Sequence, residues 1–330
     1  MSSHQRDNAS IDAVSFNCSV CGKCCNTAPL MSLPELFYHE NLFVGSLGIR
    51  RLKRHKTGEV FITANAAHPV SLADAQLLAD LAESQLFNLG AEENRCGYDF
   101  SIMTQAMDYE SLNQCPALGT DHHCAIHNDR KPAVCSMVPF DSLYPDSLQN
   151  IVLLSRQFGE NCIVAGHHDG YQVVVKDRQV ESGQYYNALR KRRDDLRLEK
   201  QWWGNAVFAL LKNERFVNPI EIAKIPMDNG LLLLSIIPVL MVLAGVSDKC
   251  RARCLQYIDS QINLIDSKIE QAILRKFAVD RQTTQEFRLF RDKYLKFRPV
   301  LFAVKPDDQL FPESQRENWI NAVENYLFAG

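Results

Sequence analysis

Residues 16–25 read FNCSVCGKCC and place four of the chain's eleven cysteines within eight positions. The four form the pattern Cys-x2-Cys-x2-Cys-Cys: Cys18, Cys21, Cys24 and Cys25. Clustered thiolates repel one another unless a cation binds them, and a spacing of two residues lets neighbouring sulfur atoms reach one metal. Gly22 suits the tight turn that this requires, because glycine adopts positive φ without steric cost. The stretch therefore predicts a metal ion or an iron–sulfur cluster.

Cys24 and Cys25, adjacent at the end of this run, are expected to bind different ions. Side chains of neighbouring residues diverge, so Cys25 is expected to reach a second ion or to bridge, while Cys24 serves the first. The three cysteines at x2 spacing are also the local part of a ferredoxin-type ligand run, whose fourth ligand comes from elsewhere in the chain.

Composition is ordinary for a soluble globular protein. The 330 residues are 46% hydrophobic and 23% charged, and the net charge of -3 gives no reason to expect nucleic acid or an anionic membrane as a partner. The first ten residues are polar and do not resemble a secretory signal. We therefore expect a cytoplasmic protein, and in that reducing compartment clustered cysteines act as metal ligands rather than as disulfides.

The chain changes character near residue 183, after which cysteines become rare and helical patterns dominate. We predict a disordered leader at 1–13, a cysteine-cluster metal-binding domain at 14–183 and a helical domain at 184–330. The predicted fold class is α+β, with a metal-stapled N-terminal domain of few short strands and an all-helical C-terminal region. That helical region is where we expect a protein partner to bind, if there is one.

Local patterns predict individual elements. Ser32 followed by Glu35 indicates a helix start, and 71–89 shows helical spacing of apolar residues. The run 151–154 is β-branched and predicts a strand. Asp169-Gly170 predicts a two-residue hairpin between 163–164 and 171–175. In the C-terminal region we predict an amphipathic helix over 248–277, and shorter ones around 287–297 and 319–328.

The stretch 231–246 contains no charged residue, so it has to be considered as a membrane segment. Its sixteen residues fall short of the ~18–20 needed to span a bilayer, and Pro238 interrupts it. We predict a buried core helix, with a membrane-associated segment as the alternative.

A second group of cysteines lies beside turn residues and charges rather than in apolar stripes: Cys115, Cys124, Cys135 and Cys162. The two-part spacing implies that the chain returns to its first cluster, so we predict that these four complete the metal site. His127 follows Cys124 at zinc-knuckle spacing, and it is either a ligand or a packing residue. The cations Arg130 and Lys131 stand where they would offset the charge of an anionic cluster.

In order, these motifs resemble the YkgJ-type zinc- or iron-chelating cysteine-cluster family (CxxCxxCC). The resemblance covers about residues 14–170 and includes Cys-Pro-x-Leu at 115–118, Cys-x-Ile-His at 124–127 and Arg-Lys-Pro-x-x-Cys at 130–135. It implies an eight-cysteine metal site with a poorly defined biochemical role. The chain departs from the family pattern at His127, where a tyrosine is expected, and after Cys162, where Ile163-Val164 replaces Pro-Gly.

Iron–sulfur chemistry, as a 4Fe-4S cluster, is the first expectation for the cofactor, because Cys115-Pro116 adds the Cys-Pro pair that often supplies the remote ligand. Zinc is the alternative, since eight thiolates divide into two four-cysteine sites. An iron–sulfur cluster would suit a redox or protein-modifying enzyme, including a methyltransferase-like one. Zinc would suit a non-enzymatic interaction module or a metal-handling protein. No nucleotide-binding, serine hydrolase or zinc protease motif is present in the sequence.

Overall fold

The computed structural model of this chain describes residues 13–62, 67–88, 98–155, 162–213, 225, 230–306 and 316–328. Of the described residues, 53% lie in helices and 17% in strands, which confirms a mixed α+β fold with a helical C-terminal region. Most of the predicted leader at 1–13 lies outside the described residues, and Ala13 already begins the first strand.

The strands follow the chain as β1 Ala13–Phe16, β2 Val44–Lys53, β3 Val60–Ile62, β4 Ala67–Pro69, β5 Tyr98–Met107, β6 Ile163–Ala165, β7 Gln172–Lys176, β8 Gln179–Val180 and β9 Leu232–Leu234. The α-helices are α1 Leu33–Tyr38, α2 Leu72–Gln85, α3 Ala133–Ser136, α4 Gln149–Ser155, α5 Gln184–Glu199, α6 Asn205–Asn213, α7 Ile237–Ala244, α8 Asp248–Arg275, α9 Asp280–Ala303 and α10 Arg316–Phe328. A π-helical turn, Lys200–Gly204, joins α5 to α6.

The chain folds into two compact units, each built from three separate segments. The first unit contains Met1–Cys24, Arg54–Ser84 and Ala133–Arg193, and the second contains Cys25–Lys53, Gln85–Pro132 and Asp194–Gly330. Both units therefore draw on sequence from before residue 183 and from after it. The domain boundary that we placed at residue 183 from the sequence remains a prediction.

A four-stranded sheet of order β6-β1-β7-β8 forms the centre of the first unit. β1 pairs antiparallel with β6 on one side and with β7 on the other. The predicted hairpin at Asp169-Gly170 is therefore wrong. A turn does form there, with Gly170 at φ +79, but the strands on its two sides both pair with β1 instead of with each other. The hairpin of this sheet joins β7 to β8 through Asp177 and Arg178, both at positive φ.

The predicted strand at 151–154 is also wrong, because these residues belong to α4. Leu153 is fully buried in the core of the first unit, together with Val14 and Phe16 of β1. A short apolar run fits a buried helix as well as a strand, so its β-branched composition alone did not decide between them.

The helix predicted within 71–89 is confirmed as α2. Asp74 closes its first turn by hydrogen bonds with Ser71. The Ser71 backbone N–H donates to Asp74 Oδ2 at 3.2 Å, and the Asp74 N–H donates to Ser71 Oγ at 3.1 Å. The other carboxylate oxygen accepts hydrogen bonds from Arg178 at 2.6 Å and from the Ser147 hydroxyl at 3.2 Å. One buried carboxylate thus ties the start of α2 to two separate loops of the segment Ala133–Arg193.

The second unit is organised around the long antiparallel pair β2–β5, to which β9 adds a third strand. Register runs from Val44 opposite Met107 to Lys53 opposite Tyr98. Gly45, near the start of β2, donates its N–H to Gln261 Oε1 of α8 at 2.8 Å. The amide nitrogen of Gln261 in turn donates to the carbonyl oxygens of Glu40 and Phe43, so this buried glutamine secures the chain that enters β2.

The stretch 231–246 contains a short strand and a short helix instead of one continuous helix. β9 pairs with β2, and α7 follows with Pro238 in its first turn, where a missing N–H costs nothing. Val239, Leu240 and Ala244 are fully buried, which confirms the predicted core position. Among the described residues, no helix is long and apolar enough to cross a membrane.

The helices α8 and α9 form an antiparallel hairpin. Arg291 contacts Asp266 at 2.6 Å, and Arg298, one to two turns further on, contacts Asp259 at 2.6 Å. The predicted helix over 248–277 is confirmed, with its end at Arg275. Its inner face is buried at Cys254, Ile258, Ile265 and Ile269, whereas Ile273 is exposed.

Candidate metal centre

The cysteine run leaves the sheet of the first unit at the end of β1. Phe16 anchors this end by an edge-to-face contact with Tyr185, with ring centroids 5.5 Å apart. The next residue, Asn17, donates its N–H to the carbonyl oxygen of Cys162 at 2.9 Å. The sheet therefore brings the start of the run and Cys162, which are distant in sequence, to the same place.

The run itself is tightly curled. Val20 and Gly22 lie at φ 55 and φ 72, on either side of Cys21, and a 3-10 turn follows at Lys23–Cys25. Positive φ is uncommon for a β-branched residue, and such outliers concentrate where a loop must hold a particular shape. The left-handed residues turn the backbone around Cys21, as the x2 spacing led us to expect.

The first unit contains five of the eight predicted ligands. Cys18 and Cys24 are exposed. Cys21 and Cys135 are half-buried, and Cys162 is buried. The Cys162 sulfur lies 3.6 Å from Ser19 Oγ, within hydrogen-bonding distance of the run. Cys135 lies on α3, between Val134 and Met137, which pack in the same core as Cys162.

The second unit contains the remaining three, Cys25, Cys115 and Cys124. The Cys115 N–H donates to the carbonyl oxygen of Cys25 at 2.7 Å. Leu118 then pairs with Cys124, and the Ala125 N–H donates to the Ala117 carbonyl oxygen at 2.7 Å. This small hairpin folds Cys124 back towards Cys115, so the backbone brings all three residues into one neighbourhood.

Burial raises the pKa of the Cys115 thiol, which is 8% exposed. The backbone N–H of Ala117 lowers that pKa, whereas the neighbouring Cys124 raises it further. The net shift is upward, so this thiol holds its proton at neutral pH unless a metal displaces it.

Arg130 has a structural partner. Its guanidinium lies 4.3 Å from the centroid of the Tyr38 ring, and its carbonyl oxygen is 3.1 Å from His39 Nε2. The Tyr38 hydroxyl donates to Asp129 at 2.7 Å. The sequence places Arg130 next to a cysteine motif, but no sequence pattern indicates its contact with Tyr38 of α1.

His127 is exposed, and its N–H donates to the Cys124 carbonyl oxygen at 3.0 Å. The turn that this bond closes fixes the spacing between the two residues. Both interpretations of His127, ligand or packing residue, fit this placement.

The donor set suits a thiophilic metal in kind, because thiolates are the preferred ligands of zinc and of iron–sulfur clusters. Its side chains do not converge as they stand: within the described ranges, no three His, Cys, Asp or Glu side chains form a group that could hold a metal ion.

The two cysteines outside the motifs differ in character. Cys250 and Cys254 lie one turn apart on α8 and are fully buried. Burial raises the pKa of the Cys254 thiol far above its ordinary value. They are core residues on the buried face of α8. Cys96 lies outside the described residues.

No known protein family matches this chain, and no curated protein or solved structure matches it significantly. The resemblance to the cysteine-cluster family therefore rests on the motif residues alone.

Proposed function

We propose that this chain is a metal-binding cysteine-cluster protein that holds an iron–sulfur cluster or zinc through its thiols. One observation carries the proposal. The run Cys-x2-Cys-x2-Cys-Cys passes from the first unit to the second between Cys24 and Cys25, and each unit adds further thiols to its own part. Because adjacent side chains diverge, Cys24 would bind with the thiols of the first unit and Cys25 with those of the second.

In the first unit, the thiol set favours an iron–sulfur cluster. Cys18, Cys21 and Cys24 have the spacing of a local cluster-binding run, and Cys162 lies beside Ser19 within that run. Cys162 is therefore a better candidate for the remote ligand here than Cys115, whose backbone pairs with Cys25 in the second unit.

In the second unit, three thiols leave one position of a tetrahedral ion without a cysteine. His127 could fill it, which would make a closed and structural zinc site. A water or substrate in that position would make the site open, as in zinc enzymes. The thiols of the two units thus support both roles considered for the chain, that of a metal-dependent enzyme and that of a structural metal-binding module.

An iron–sulfur cluster in the first unit would supply electron transfer or substrate activation, and the protein would then be a redox or protein-modifying enzyme of a reducing cytoplasm. Zinc in both units would make it an interaction module or a metal-handling protein, with the helical region as the part that binds a partner.

Anaerobic purification, followed by metal and acid-labile sulfide analysis and an absorption spectrum, tests the proposal. We expect iron and sulfide with broad absorption near ~400 nm from thiolate-to-iron charge transfer. Cys21→Ser should abolish that absorption, because it removes a ligand from the middle of the run.

Cys254→Ala is the matched control, since it removes a thiol that is buried in α8 and lies outside the motifs. It should keep the metal content of the wild type. Stoichiometric zinc without sulfide would decide for the zinc alternative. Protein that contains neither metal nor sulfide, even when it is prepared without air and supplied with both, would contradict the proposal.

A further inference from the structure

The end of the α8–α9 hairpin exposes a run of large apolar side chains. Leu274 is 80% exposed, and three others within seven residues are more than half exposed: Ile273, Phe277 and Val279. We call residues 273–279 the hairpin tip. Single exposed apolar side chains are common on protein surfaces, but four within seven residues at one turn between helices indicate a contact surface.

The tip has a defined backbone. Lys276 ends α8 at φ 60, and its N–H donates to the Ala272 carbonyl oxygen at 3.1 Å. The Asp280 and Arg281 N–H groups donate to the carbonyl oxygens of Phe277 and Ala278. Hydrogen bonds thus fix the turn that presents the apolar side chains.

Charge at the tip is positive. Asp280 is buried and accepts hydrogen bonds from Ser111 at 2.9 Å and from Arg275 at 3.4 Å. Lys276 and Arg281 are exposed, and the described residues include no ion-pair partner for either. On α8, the nearest exposed acid is Glu270, about one helical turn before Leu274.

We propose that the hairpin tip docks the protein onto an anionic lipid bilayer. Apolar side chains would enter the boundary between head groups and acyl chains, and Lys276 and Arg281 would contact lipid phosphates or carboxylates. A bilayer accepts exposed apolar side chains without a matching pocket, whereas a protein partner would have to supply one. The local positive charge selects anionic lipid even though the net charge of the chain is negative.

This inference uses neither the cysteines nor a bound metal, so it stands or falls independently of the proposed function. It also differs from the membrane alternative considered for 231–246, whose apolar residues are buried or half-buried.

Co-sedimentation of the full chain with vesicles tests it. We expect binding to vesicles of phosphatidylcholine with about one third phosphatidylserine, and at least about tenfold weaker binding to phosphatidylcholine alone. Leu274→Glu should weaken binding to the anionic vesicles by about tenfold or more, because it places a charge where an apolar side chain would insert.

Leu72→Glu is the matched control, since Leu72 is an equally exposed leucine on α2 of the first unit. It should bind as the wild type does. One measurement on the wild type needs no variant: binding should fall steeply at high salt. The double variant Lys276→Glu/Arg281→Glu should reproduce that loss at low salt.

Three results would overturn the proposal. The first is wild-type protein that does not sediment with anionic vesicles, and the second is an equal loss of binding in Leu72→Glu. The third is protein that does not bind vesicles but forms a concentration-dependent dimer, which Leu274→Glu dissociates. That result would assign the hairpin tip to contact between two copies of the chain.

Discussion

Gly45 stands where any larger residue would collide with the core. A Cβ at this position would lie 1.9 Å from the Tyr257 hydroxyl oxygen and 2.8 Å from Leu36 Cδ2. Tyr257 is fully buried and stacks on Phe37 with ring centroids 4.3 Å apart, so it has little room to move. The absence of a side chain on Gly45 is what lets β2 approach α8.

We therefore expect Gly45→Ala to lower the free energy of unfolding by about 1–3 kcal/mol, as overpacking in a core does. Chemical denaturation followed by circular dichroism would measure it. Tyr257→Phe is the informative partner, because the described residues offer the Tyr257 hydroxyl no hydrogen bond and its removal opens space. Gly45→Ala should cost less in the Tyr257→Phe background than in the wild type, and equal costs would contradict the steric explanation.

At the scale of the element, α2 depends on its capping residue. Burial by itself raises the pKa of the Asp74 carboxyl, but hydrogen bonds from Ser71 and Ser147 and the charge of Arg178 outweigh it and hold the pKa below its usual value. Because the folded-state pKa is the lower one, the carboxylate contributes stability at pH values above the unfolded-state pKa. That contribution is lost as the pH falls through the folded-state pKa.

Asp74→Asn should accordingly lower the unfolding free energy by about 1–3 kcal/mol at pH 7, since it leaves Arg178 without its charged partner. The difference from the wild type should begin to shrink below about pH 4, the unfolded-state pKa, and should disappear only below the lower folded-state pKa, where Asp74 is protonated as well. Urea unfolding of metal-free protein at both pH values measures this. Asp259→Asn on the half-exposed pair with Arg298 is the control and should cost less than about 1 kcal/mol. A loss at position 74 that does not change with pH would refute the ionic explanation.

Some elements could be predicted from the sequence because their signals are local. Ser32 and Glu35 form a capping box at the start of α1, and the spacing of Cys254, Ile258 and Ile265 describes the buried face of α8. The signals failed where the partner is remote. Asp169-Gly170 does form a turn, but β1, some 150 residues earlier, lies between the strands on either side of it.

The strands β2 and β5 gave no alternating pattern, because they are buried on both faces over much of their length. The same limit holds at the candidate site. The x2 spacing predicts a curled loop around Cys21, which the positive φ values of Val20 and Gly22 bear out locally. That Cys162 would lie beside Ser19, and Cys115 beside Cys25, depends on pairings between distant segments that a motif does not encode.

At the scale of the whole molecule, the two units have cores of different size. The core of the first unit is a small cluster around Val14, Phe140 and Leu189. That of the second extends through the sheet and the helices α7 to α9. A small core leaves more of the folding free energy to other interactions, so a metal bound by the first unit would matter more to its stability.

Removal of metal by a chelator under reducing conditions should therefore loosen the first unit while the second stays folded. Amide hydrogen exchange read by mass spectrometry would show faster exchange in β1, β6 and β7, with unchanged protection in α8 and α9. Cys21→Ser protein, which should lack the metal of this unit, treated in the same way, serves as the reference for effects of the chelator unrelated to the metal. Equal acceleration in both units, or none in either, would contradict the expectation.

The discontinuous segments also determine when each unit can fold during synthesis on the ribosome. β1 has its sheet partners only after β7 at Gln172–Lys176 has emerged, and β2 waits for β9 at Leu232–Leu234 and for Gln261 of α8. The N-terminal thiols therefore leave the exit tunnel well before the residues that hold them in place. A nascent chain in this state exposes the cysteine run for many seconds at ordinary rates of translation, about 5–20 residues per second. On the proposed function, a metal could reach the first thiols of the run before the fold that holds them is complete.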